Sequence, residues 1–240
     1  METVEEILIQ YQTILSLEND GFVMYEFNIT HLNYYLTSEK TKSVLGFGIN
    51  KEFRGGDGPS LDYAVRYSGF SAGVYHEAVE NLLIPLVEKH LSMNYGELKI
   101  THTIPFNLTT GNFLAAWEAM NTFAAIDLRN NLSTLQELAE MFRKQITLHI
   151  EPFWRQYADL QFINNEIIDK VHDDDLGNYL GGMAPFKKLI IMKLCNNAGY
   201  DGFSESYQSR IAKAVIEQGR DEYVPYLNLV NELMVSLDSI

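Results

Sequence analysis

The sequence predicts an α+β protein. Its N-terminal half would hold a small antiparallel sheet with flanking helices, and its C-terminal half an antiparallel helical array. Three observations carry this. Strand-type runs fall before residue 106. After Asn107 almost every apolar run repeats at helical spacing. No strand–helix–strand series recurs, which argues against a doubly wound sheet. The expected parts are 1–106 and 107–240, either as two parts or as one continuous domain.

Val4 to Leu17 reads as an amphipathic helix, with Val4, Ile7, Leu8, Tyr11, Ile14 and Leu15 on its apolar side and acids in its first turn. Phe22 to Tyr35 has strand composition, and a turn follows around Thr37–Lys42. Ser43–Ile49 and Leu61–Tyr67 are further strands, separated by a glycine-rich loop from Asn50 to Pro59. Tyr75 to Leu91 reads as a helix that Pro85 should bend or restart. Leu98 to Ile104 alternates as a last strand.

Phe113 to Ile126 is expected as an alanine-rich helix. The stripe Leu135, Leu138, Phe142, Ile146, His149, Phe153, Tyr157 marks the helix around which the chain is organised. Ser133 and Gln136 suggest its capping box, and Pro152 should kink or break it near Ile150–Glu151. Asp159 caps a short helix. Helices are then expected from Pro185 to Asn196, from Ser204, and from Tyr223 or Pro225 to the end, joined by short loops.

The chain has 240 residues, with 32 acidic and 18 basic side chains and a formal charge of -14. Residues 1–120 hold 15 of the acids and residues 121–240 hold 17, so the acidity is not confined to a tail. Such a surface repels phosphate backbones, so no nucleic acid is expected as a partner, whereas a basic protein would be attracted. Simple solubility is the plainer reading. The single cysteine, Cys195, excludes an internal disulfide, fits a reducing cytoplasmic setting and lies in an apolar helical run that suits an inert thiol. No signal peptide and no membrane-spanning run is visible, so no membrane is expected as a partner.

Motifs of known chemistry are incomplete. The Gly46–Lys51 stretch lacks the spacing of a phosphate loop or dinucleotide fingerprint. Its glycines are expected where a strand bends or a side chain crosses. Ser68–Gly73 has the wrong spacing for a nucleophile elbow. His76 and Glu80 are four apart and would share a helix face, with His90 or His102 as a third group only if the fold brings one near. These make His76, Glu80 and His102 the catalytic candidates. Two such ligands are too few for a zinc site, so neither a metal nor another cofactor is predicted. Arg54 and Asp57 in the glycine-rich loop, and Asp173, Asp174 and Asp175 in an acidic break, are the binding candidates. Counted from Asp173, a calcium loop would need glycine and glutamate where Asn178 and Ala184 stand. Trp117 and Trp154 are expected in the core or a cleft.

The run Ile150-Glu151-Pro152-Phe153-Trp154-Arg155-Gln156-Tyr157-Ala158-Asp159-Leu160, with the helices beginning at Phe186-Lys187-Lys188-Leu189 and Ser206-Tyr207, resembles the DUF4304-like group of small bacterial proteins of unknown function. The resemblance lies in order and texture, and the loop at Gly55–Pro59 and the break at Asp173–Asp175 depart from it. It implies a protein-binding module of immunity type, which neutralises a toxin, and it transfers no functional residue. Two alternatives stand beside it. One is an enzyme, hydrolase-like, using His76, Glu80 and His102. The other is a self-associating structural protein, for which an exposed apolar patch around Leu229, Leu233 and Leu237 would be the sign. The oligomeric state is left open by the sequence.

Overall fold

The computed structural model describes residues 2–28, 30–53, 63–91 and 102–240. It is an α+β fold with a five-stranded antiparallel sheet of order β1-β2-β3-β4-β5. The chain divides into two compact units, Met1–Val74 with Pro105–Arg155, and Tyr75–Ile104 with Gln156–Ile240. The division interleaves along the sequence, and residue 106 falls inside the first unit.

In the first unit, α1 (Val4–Leu15) opens with Thr3 and Glu6 in a reciprocal capping box. The expected single strand over Phe22–Tyr35 is instead a hairpin, β1 (Val23–Phe27) and β2 (His31–Thr37). The interruption is an Asx turn. Asn28 Oδ1 accepts from the backbone N–H groups of Thr30 (3.0 Å) and His31 (2.8 Å). Continuous apolar alternation hides such a turn.

β3 (Thr41–Phe53) and β4 (Tyr63–His76) are longer than expected. Gly46 faces Asn33 in the β2–β3 register, and a Cβ there would collide with the Asn33 and Ser71 side chains. This is the side-chain crossing that its glycine permits. β5 is only Ile104–Pro105. Of the rest of the expected strand, His102 and Thr103 are not in a strand, and 98–101 lies outside the described residues.

α3 (Phe113–Asn121) gives way to turns over 122–126, so the helix is shorter than its alanine content suggested. Trp117 on it is 42% exposed and lies outside the core. α4 (Leu132–Gln145) is capped by Asn131, whose side chain accepts from Thr134 N, rather than by Ser133. Pro152 does not break the helix. A π turn over Ile146–Ile150 leads into α5 (Glu151–Tyr157), and the Glu151 N–H reaches back five residues to Ile146 O. The wider turn accommodates a residue that has no N–H to give.

This helix builds an aromatic core. Phe47 of β3 stacks on Tyr11 at 4.1 Å between centroids and meets Phe142 at 5.3 Å. Phe153 lies 5.1 Å from Phe106. Trp154 is buried, as expected, and its Nε1 donates to Gly73 O at 3.0 Å. Offset and tilted ring pairs of this kind add modestly to their area burial.

In the second unit, α2 (Glu77–Leu91) runs as one helix through Pro85. α6 (Leu160–Ile163), capped by Asp159, passes into a second π turn at Asn164–Ile168. The acidic break Asp173–Asp175 is a 3-10 turn leading into α7 (Leu176–Leu180). Then come α8 (Ala184–Leu194), α9 (Tyr200–Ile216) and α10 (Val224–Asp238). α9 starts at Tyr200, four residues before Ser204, because Asn197 Oδ1 accepts from Gly199 N and turns the chain early. Leu229, Leu233 and Leu237 are fully buried, so the final helix shows no apolar patch there. Cys195 is half-buried, its thiol donates to Leu160 O at 3.5 Å, and burial pushes its pKa up.

Candidate functional site

Two side-chain arrangements in the second unit bear on function. The first collects His76, Glu80 and His102. His76 is the last residue of β4, not the first turn of a helix, so it and Glu80 do not share a helix face. Thr103 joins them instead. Its Oγ1 accepts from His76 N and donates to Glu80 Oε1, both at 2.9 Å. Lys187 Nζ of α8 lies 3.3 Å from the same Glu80 oxygen and donates to Leu180 O at 2.9 Å and to His102 O. His76 Nε2 donates to Tyr157 O at 2.8 Å, which requires the proton to sit on that nitrogen.

His76, Glu80, Thr103 and Lys187 are closed to solvent or nearly so, and His102 is half-buried. Glu80 is 0% exposed, Lys187 1% and His76 3%. Burial is the main cause that lowers the pKa of His76. It also pulls His102 down to about 4, with help from the neighbouring Lys187 charge, so both rings are neutral near pH 7. A general acid or base must reach a substrate proton. Here the carboxylate and the ammonium already satisfy one another, and the arrangement acts as a polar clasp between α2, the 102–103 segment and α8. His90, the other possible third group, pairs with Glu232 Oε2 of α10 at 2.7 Å. Among the described residues no three His, Cys, Asp or Glu side chains are grouped to hold a metal ion.

The acidic break is open. Asp173 pairs with Lys188 at 2.7 Å, and the Asp174 side chain is 91% exposed beside His172. Arg54 and Asp57 lie outside the described residues.

The second arrangement is a cavity of about 560 Å³ among α8, α9 and the start of α10. Phe186 forms its floor with Tyr207 (5.5 Å, edge-on) and Tyr226 (6.5 Å, stacked). Arg210, Lys213 and Arg220 stand round it, and among the described residues no carboxylate lines it. Arg210 lies over the Tyr207 ring at 5.3 Å and Arg220 over Tyr223 at 4.3 Å. Arg220 also bonds Glu222 at 2.9 Å, and Lys213 lies 3.7 Å from Glu217 one turn along. Arg220 follows Gly219, whose φ of 62° lies in the left-handed conformation that glycine adopts freely just past the end of α9. Met183, at the cavity edge, holds φ 62° without being glycine. Burial raises the Tyr207 hydroxyl to about 12, so it stays protonated.

Sequence reasoning did not single out this cavity. The available signal was the interleaving of Tyr207, Arg210, Lys213, Arg220, Tyr223 and Tyr226 within twenty residues of an acidic chain. The fold and these two arrangements define an α+β protein with a sealed polar clasp and an open aromatic–cationic cavity. Known protein families, curated proteins and solved structures contain no match to the chain. Among the described residues no helix is long and apolar enough to cross a membrane.

Proposed function

We propose that the protein is a non-catalytic binding module of immunity type, which works in the cytoplasm by docking on a basic protein. The observation that carries this reading is the contrast between inside and outside. The Glu80 carboxylate, with His76 beside it, is consumed in the buried clasp. Other carboxylates, such as Asp174, are presented to solvent in a chain of net charge -14. Dispersed acidity accelerates encounter with a cationic partner and disfavours nucleic acid. The resemblance of the Ile150–Leu160 run to the DUF4304-like group supports the same reading.

The test is capture on the immobilised protein from lysates of its own organism and of close competitors, at low and at moderate salt. Any retained protein is then purified and assayed with and without the module. A basic partner that is retained at moderate salt and loses its activity when bound supports the reading. Retention of no protein at either salt overturns it, as does a retained partner whose activity is unchanged.

A further inference from the structure

We infer that the cavity among α8, α9 and α10 is a binding site for a planar aromatic anion of metabolite size. The inference rests on this cavity alone and is independent of the docking function proposed above.

Three features of the cavity select that chemistry. Its volume, about 560 Å³, lies in the range of small-molecule sites. Its lining is rich in aromatic side chains, with Phe186, Tyr207, Tyr223 and Tyr226, and such a surface favours a flat apolar partner. Its charge runs against the rest of the chain. Three of only 18 cations gather here, in a protein with 32 acids; among the described residues no carboxylate lines the cavity, and Lys213 and Arg220 pair with Glu217 and Glu222 beside it.

Arg210 is the decisive group. It is exposed, it lies over Tyr207, and among the described residues it has no carboxylate partner. A guanidinium in this position offers a planar fork of N–H donors to an incoming carboxylate or phosphate. Arg220 differs, since Glu222 and the Tyr223 hydroxyl hold it in place. It adds positive potential and keeps its geometry without a ligand. A neutral aromatic molecule would use the rings and leave Arg210 unanswered. A bare anion would use Arg210 and leave the rings wet. Only a molecule with both parts uses the whole surface.

The probes are 1-naphthyl phosphate, 1-naphthaleneacetate, 1-naphthol and inorganic phosphate, each titrated calorimetrically into the full chain. The expected result is that one or both naphthyl anions bind about tenfold or more tightly than naphthol and than inorganic phosphate. The tighter of the two anions identifies the anionic group as phosphate or carboxylate. Arg210→Gln should weaken that binding about tenfold to a hundredfold. Arg155→Gln, at an exposed cation that does not line the cavity, should leave it unchanged. Circular dichroism and the thermal midpoint check that both variants remain folded. Equal affinity for naphthol and the anions overturns the proposal, as does equal loss in the two arginine variants. Absence of binding by both naphthyl anions overturns it too.

Discussion

Lys187 and Glu80 meet at 3.3 Å with both side chains shut off from water. Burial lowers the lysine's pKa, and the Glu80 charge and hydrogen bond oppose that shift. A closed pair of this kind costs desolvation on both sides, and removing one partner leaves the other charge stranded. Glu80→Gln should therefore destabilise the protein by about 3–5 kcal/mol in urea unfolding. Adding Lys187→Met should cost less than the sum of the two single changes, by about 2 kcal/mol. Strict additivity would show that the pair is not coupled.

His102 gives the clasp a pH signature. Its folded-state pKa is about 4, below the 6.5 of an unperturbed histidine, because burial disfavours the charged ring. The unfolded chain thus binds a proton more readily than the folded one between these values. Stability from this group is present above pH 6.5 and is lost as pH falls toward 4, by ~2 kcal/mol between pH 7 and pH 5. His76, also lowered by burial, acts in the same direction. Urea unfolding at the two pH values should show a fall in stability that shrinks in His102→Asn. An undiminished fall would assign the proton uptake elsewhere.

Gly111 and Gly177 make opposite predictions from the same substitution. A Cβ on Gly111 would run into the Phe106 ring, which Phe113 and Phe153 already flank. Gly111→Ala should cost about 1–3 kcal/mol. A Cβ on Gly177, inside α7, meets no atom within 4 Å. Gly177→Ala should be neutral or stabilising by up to about 1 kcal/mol. Thermal midpoints of the two variants should move apart.

The two tryptophans should report separately. Trp154 is buried and bonded to Gly73 O, whereas Trp117 is 42% exposed. Trp117→Phe should shift the emission to the blue, reduce acrylamide quenching and change stability by less than about 0.5 kcal/mol. Trp154→Phe should leave a red-shifted, quenchable emission and cost about 1–3 kcal/mol, because the Gly73 carbonyl loses its donor. Identical spectra from the two variants would contradict this assignment.

Much of this architecture is legible in the residues. The stripe from Leu135 to Tyr157 shows its packing because helical periodicity survives the π turn: Leu138, Phe142, Phe153 and Tyr157 are all buried. What failed to show was local polar chemistry. Asn28 turns the chain inside an apolar alternation, and Asn131 outcompetes Ser133 as a cap, both through a single side-chain oxygen. Of the candidate residues, His76 and Glu80 do meet, but through Thr103, which no pattern marked, and on different elements from those expected, whereas His102 joins only by its carbonyl, which accepts from Lys187. The cavity was illegible for another reason. Its cations and rings come from three helices and the turn between two of them, and periodicity does not report how helices are juxtaposed.

The two units exchange segments along the chain, and this sets an order on synthesis. Residues 75–104 leave the ribosome long before their companions from 156 onward exist. The first unit in turn stays incomplete until Arg155 has been made. Neither unit corresponds to a single stretch of gene, so no simple truncation yields either one whole. A nascent chain halted near residue 110 would carry Glu80 without Lys187, an acid awaiting the base that a later helix delivers.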